Sequence, residues 1–152
     1  MSDVEEIWFD PGHEDPASAA ADLSKALDMR LEHVGDQWYV STEHLSDGEP
    51  VRVWGRVEAN IDSRFPAEKW PDDYSVFHRL PLVWTLESVR TGGSTLIERS
   101  RVLFDRLVAR LPWRFVLTHG IDVLVATYDP IHGLREFPPG TPADGTGRHL
   151  WG

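Results

Sequence analysis

Two stretches of this chain read as strand, tight turn, strand. Arg30–Ser41, "RLEHVGDQWYVS", places β-favouring residues on both sides of Gly35-Asp36, and Arg114–Tyr128, "RFVLTHGIDVLVATY", does the same around Gly120-Ile121. A connection of two residues can only return the chain antiparallel, because a parallel neighbour needs a crossover of a dozen residues or more. Three further runs read as strands: "VEEIWF" (Val4–Phe9), "PVRVWGRVEANI" (Pro50–Ile61) and "LVWTLESV" (Leu82–Val89). In the second of these Val51, Val53 and Val57 point one way and Arg52, Trp54, Arg56 and Glu58 the other, the alternation of a half-buried strand.

Two segments carry a helical period instead. Asp15-Pro16 supplies an N-cap and a first-turn proline, and Ala20, Leu23 and Leu27 then fall on one face. "TLIERSRVLFDRLVARL" opens with Thr95 and Glu98 at capping-box spacing, forms an apolar stripe from Leu96, Leu103, Phe104, Leu107, Val108 and Leu111, and stops at Pro112. The expected fold class is α+β, a mainly antiparallel sheet with both helices packed on it. At 152 residues the chain is expected to form a single domain, 1–152, with an irregular Pro/Gly-rich tail from about residue 133.

Composition narrows the chemistry. The chain contains no cysteine, which excludes disulfides, thiolate metal sites and a cysteine nucleophile. No apolar run approaches the roughly 20 residues of a membrane helix, and the acidic start "MSDVEEIWFD" lacks the pattern of a secretory leader, so the expected compartment is the cytoplasm. The net charge of −10 is uneven: residues 1–73 hold 18 acids and 6 bases, residues 74–152 hold 7 acids and 9 bases. An acidic balance argues against nucleic-acid binding and is suited to a basic protein partner. In that acidic half Trp70 stands among Glu68, Asp72 and Asp73, an aromatic anchor in a charged field, and Trp54 lies on the polar face of its strand. These five residues are the candidate partner-binding set.

His119, Asp122, Asp129 and His132 form the densest group of acid, base and metal-ligand side chains in the chain. The hairpin separates them. If His119 faces Val123 at the turn, Asp129 lies five or six residues along the strand, roughly 15–20 Å away, which no single ion spans. The group therefore splits into a turn pair, His119 with Asp122, and a second turn at Asp129–Gly133. No catalytic residue, metal or cofactor is expected. "TGGS" (Thr91–Ser94) ahead of a helix is a weak anion-site signal.

The segment "LFDRLVARLPWRFVLTHGIDVLVATYDPIHGLREFPPGT" (residues 103–141) resembles the C-terminal block of the Sit-type immunity-protein family: an amphipathic helix ending in Leu-Pro-Trp, a hairpin and a short tail. The resemblance implies a cytoplasmic protein that binds and neutralises a cognate toxin. It transfers no binding residue, because such interfaces differ from pair to pair. Two other readings stand beside it. One is a small enzyme or small-ligand-binding α+β domain with a pocket containing His78 or His119; the other is a scaffold or oligomerisation domain with an apolar face.

Overall fold

The computed structural model describes residues 4–42, 52–64, 75–89 and 96–151. They form β1 (Glu5–Asp10), α1 (Pro16–Leu27), β2 (Arg30–Val34), β3 (Gln37–Ser41), β4 (Arg52–Ala59), β5 (Leu82–Val89), α2 (Leu96–Arg110), β6 (Arg114–His119), β7 (Val123–Asp129), β8 (Gly133–Glu136) and the short α3 (Arg148–Trp151). The strands make one eight-stranded sheet in the order β2-β3-β4-β5-β1-β6-β7-β8, with every pairing antiparallel. The fold is α+β, as the hairpins require. No helix among the described residues is long and apolar enough to cross a membrane.

Local chemistry sets the elements. Asp15 caps α1 by accepting from the backbone N–H groups of Ala17 and Ser18, and Asp28 ends the helix in a left-handed conformation at φ 53°. The buried residues of α1 are Ala19, Ala20, Leu23 and Leu27, and those of α2 are Leu96, Ser100, Leu103, Phe104 and Leu107. Both stripes lie on the same face of the sheet, against Ile7 and Phe9 of β1, Val53 and Val57 of β4, Leu82, Trp84 and Leu86 of β5, and Phe115 and Leu117 of β6. Leu111, expected in the buried stripe, lies just past the end of α2 and is only half-buried. Thr95 of the capping box, and the whole of the Thr91–Ser94 stretch, lie outside the described residues.

The opposite face has its own smaller core. Trp8, Val83, Val116 and Leu124 project from the sheet and are covered by Phe77, Leu80 and Ala143. Phe77 stacks on Trp8 with ring centroids 3.7 Å apart. The side-chain amide of buried Asn60 donates to the carbonyls of Phe77 and Leu80 at 3.1 and 2.8 Å, fastening that segment to the end of β4. The C-terminal segment follows the same face: Ala143 donates its N–H to the Asp122 carbonyl, and the Trp151 indole donates to that of Pro142.

One expectation needs correction. The first four residues of the expected irregular tail, Gly133–Glu136, form β8 and close the sheet edge, because the turn at Asp129–His132 brings them back onto β7. After β4 the chain enters a 3-10 turn, Ile61–Arg64, in which the Ser63 N–H bonds back to the Asn60 carbonyl.

Gly55 marks the tightest approach in the sheet. A Cβ there would lie 2.2 Å from the Thr85 carbonyl oxygen and 2.7 Å from the Trp84 indole nitrogen, which itself donates to the Gly55 carbonyl. Backbone cannot yield as a flexible side chain would, so Gly55→Ala is expected to destabilise the fold by roughly 1–3 kcal/mol. Urea denaturation followed by circular dichroism measures this, and an unchanged midpoint would contradict the crowding.

Candidate functional site

The hairpin that gathers His119, Asp122, Asp129 and His132 keeps them in two places. His119 pairs with Val123 beside the turn, as the spacing predicts. A bulge between Leu117 and Thr118 then shifts the register by one residue, so Phe115 faces Tyr128 and Asp129 lies at the far end of β7. Among the described residues no group of three or more His, Asp or Glu is placed to hold a metal ion. Asp129 serves its own turn, accepting the backbone N–H groups of Ile131 and His132 at 2.8 and 2.7 Å and the His132 imidazole at 3.1 Å. These bonds, the His132 N–H foremost, hold its carboxyl below the usual aspartate range.

The expected turn pair of His119 with Asp122 is not what forms. The His119 Nδ1 instead meets the Glu5 carboxylate across the β1–β6 ladder, where Glu5 and His119 are direct register partners. Glu5 is 1% exposed and the histidine is half-exposed. On the next residue the chain turns the other way. Glu6, also buried, faces the opposite side of the sheet, where it accepts the Thr118 hydroxyl at 3.0 Å while Thr118 accepts the Trp8 indole at 2.9 Å. Because Thr118 and His119 are consecutive in one strand, the hydroxyl and the imidazole point to opposite faces and cannot form a nucleophile–base relay. The sequence carried a sign of this arrangement in "EE" inside an otherwise apolar strand, but the partners lie more than a hundred residues away.

The partner-binding candidates divide. Glu68, Trp70, Asp72 and Asp73 lie outside the described residues. Trp54 lies on the face of β4 turned away from the helices, half-exposed, as the alternation predicts. Its register neighbours on that face are Ser41 and Glu87, and the adjacent row runs Tyr39, Arg56, Thr85. Tyr39, Arg56, Glu58 and Thr85 are half-exposed and Glu87 is exposed, while Arg56 and Glu58 form an ion pair at 3.0 Å. Over β3–β5, then, the helices cover one face and a polar, aromatic surface occupies the other.

A cavity of about 530 Å³ opens on this same side of the sheet at its other end. Its floor is the far end of β6, β7 and β8, and its rim comes from the 75–80 segment and α3. Arg114, Arg135 and Arg148 line it together with Asp129 and His132. Neither His78 nor His119, the expected pocket histidines, lines it; His78 is buried in the segment beside it. The sequence gives no signal for this cluster, since each arginine is unremarkable in its own stretch and only the register and the returning tail bring them together.

Comparison with known protein families, with characterised proteins and with solved structures returned no match to this chain.

Burial pushes the Glu6 carboxyl up from 4.5 to about 7, the neighbouring Glu5 adding to the shift and the Thr118 hydrogen bond opposing it. Between those values the unfolded chain ionises while the folded one holds its proton. The folded state therefore loses stability as pH rises from about 4.5 to 7, by on the order of 3 kcal/mol, and is free of this cost below 4.5. Glu6→Gln keeps an acceptor for Thr118 and cannot ionise. Its stability relative to the parent is expected to climb across that window and level off above it, read as urea midpoints at pH 4.5, 6 and 8. A pH-independent difference would refute the assignment.

Proposed function

We propose that this chain is a cytoplasmic immunity-type protein that binds a cognate toxin domain and neutralises it by occupying it, with no chemistry of its own. The observation that carries the reading is the open half-sheet over β3–β5. There the face opposite the helices presents Tyr39, Trp54, Arg56, Glu58, Thr85 and Glu87. Its β3 and β4 residues belong to the half of the chain with 18 acids against 6 bases, and β5 adds Thr85 and Glu87. Aromatic side chains supply contact area at low entropic cost, and surrounding acids steer a basic partner and speed its association. Glu68, Trp70, Asp72 and Asp73, which lie outside the described residues, continue the same aromatic and acidic composition along the sequence. The resemblance of residues 103–141 to the Sit-type immunity block supports the same conclusion.

A second reading, a small-ligand-binding domain, is favoured by the cavity that contains His132 and three arginines.

The test begins with affinity capture of the tagged protein from its native cells. The captured partner is then expressed in a sensitive host with and without this chain. The expected result is a basic partner that arrests growth and is relieved by co-expression. A partner that is acidic, or harmless alone, overturns the reading. In surface plasmon resonance against that partner, Trp54→Ala is expected to raise the dissociation rate about tenfold, as loss of a buried anchor does. Asp72→Lys with Asp73→Lys should slow association, more at low salt than at physiological salt, where screening acts over about 8 Å. Wild-type rates in both variants would move the interface elsewhere.

A further inference from the structure

We propose that the cavity between β6–β8 and the C-terminal segment is a binding site for a small organic phosphate, its phosphate held by Arg114, Arg135 and Arg148 and its apolar body resting on the wall formed by Val76 and Trp151. The proposal does not rest on toxin binding, and either can fail without the other.

The register builds the floor. Val116 pairs with Thr127 and Thr127 with Arg135, so these residues share the face away from the helices, and Arg114, two residues before Val116, shares it too. Arg148 enters from α3 on the opposite rim. Three guanidinium groups thus converge on one cavity in a protein of net charge −10.

Elsewhere arginines are commonly matched with acids: Arg30 with Glu32, Arg56 with Glu58, and Arg101 with Asp105 and Glu136. Among the described residues neither Arg114 nor Arg135 forms an ion pair with a carboxylate; Asp10, the cross-strand neighbour of Arg114, accepts the Gly12 N–H instead. Arg135 is instead positioned by neutral groups, donating to the Leu150 carbonyl and lying 4.8 Å over the Phe137 ring, which fixes the guanidinium without spending its charge. The one acid on the lining, Asp129, already receives two backbone N–H groups and the His132 imidazole. It answers its own turn and forms no ion pair with Arg114 or Arg135.

Size and lining define the ligand class. A cavity of about 530 Å³ falls in the range of small-molecule sites, roughly 300–1,000 Å³, and is far larger than a bare phosphate requires. The planar fork of arginine matches phosphate oxygens with paired hydrogen bonds. Half-buried Val76 and Trp151, backed by buried Leu80 and Val116, give a wall that water hydrates poorly and an apolar or flat group covers well. A nucleoside phosphate combines both features.

Isothermal titration of the full chain with ADP, pyrophosphate and adenosine separates the two parts. ADP is expected to bind, pyrophosphate more weakly, and adenosine not measurably. Affinity for ADP should fall as salt rises. Arg114 is exposed, so Arg114→Ala should leave the thermal midpoint unchanged while weakening ADP about tenfold or more, the scale of a lost hydrogen bond to a charged group. Arg114→Lys, which keeps the charge and loses the fork, should fall between. Absence of ADP binding at millimolar concentration overturns the proposal. So does equal affinity for ADP and pyrophosphate, or ADP binding that Arg114→Ala and Arg148→Ala both leave unchanged.

Discussion

The structure depends on β1 being covered on both faces. Five consecutive residues, Glu5 to Phe9, are buried, because β5 and β6 flank the strand, the helices cover one side, and the Trp8 cluster covers the other. A strand in that position cannot alternate between core and water, so its polar residues must find partners inside the protein. Glu5 and Glu6 do so through consecutive residues of β6, one on each face: His119 for Glu5 and Thr118 for Glu6. The pairing of β1 with β6 is therefore specified by chemistry as well as by apolar fit. A slip of one residue would turn both side chains to the wrong side and leave two buried polar groups without their partners.

From that strand the sheet becomes asymmetric. The helices lie over β1 and its neighbours on one face, and α1 extends the cover to β3 and β4. On the other face, among the described residues, the 75–80 segment and the C-terminal segment cover the portion around β1, β5, β6 and β7. The Asn60 amide anchors the 75–80 segment, Trp8 holds Phe77 of that segment by stacking, and the Trp151 indole ties α3 to Pro142. One face is thus a continuous core, while the other is a small core with an open surface on one side and a cavity on the other. Both surfaces proposed to bind are consequences of where that second cover stops.

Much of this was legible in the sequence, wherever the cause was local. The turns at Gly35 and Gly120, both at positive φ, gave the hairpins; the cap at Asp15 and the apolar stripes gave the helices; alternation gave the face of Trp54. The misses share a different cause. His119 was paired with the nearest acid in sequence, Asp122, while its partner Glu5 arrives through a ladder between strands 114 positions apart. β8 is a four-residue edge strand with little apolar content, held by pairing with β7 rather than by its own pattern. The arginine cavity needs the β6–β7 bulge, the β7–β8 turn and the returning tail to coincide, and no stretch of the chain encodes that by itself.

The separation of the two surfaces has an electrostatic consequence. From β4 to β7 is four strand steps, about 19 Å at the usual spacing near 4.8 Å. Charges at the surface are screened over about 8 Å at physiological salt. Charges on the β3–β5 surface and in the arginine cavity therefore barely sense one another through solvent. An acidic surface built around the cavity would have satisfied its arginines internally, as Glu136 and Asp105 satisfy Arg101 on the helix face. The chain instead concentrates its acids in the first half of the sequence and leaves the cavity floor to Arg114 and Arg135. That division gives the net charge of −10 little bearing on what the cavity can attract, and makes the placement of charge along the strand order the quantity that governs recognition.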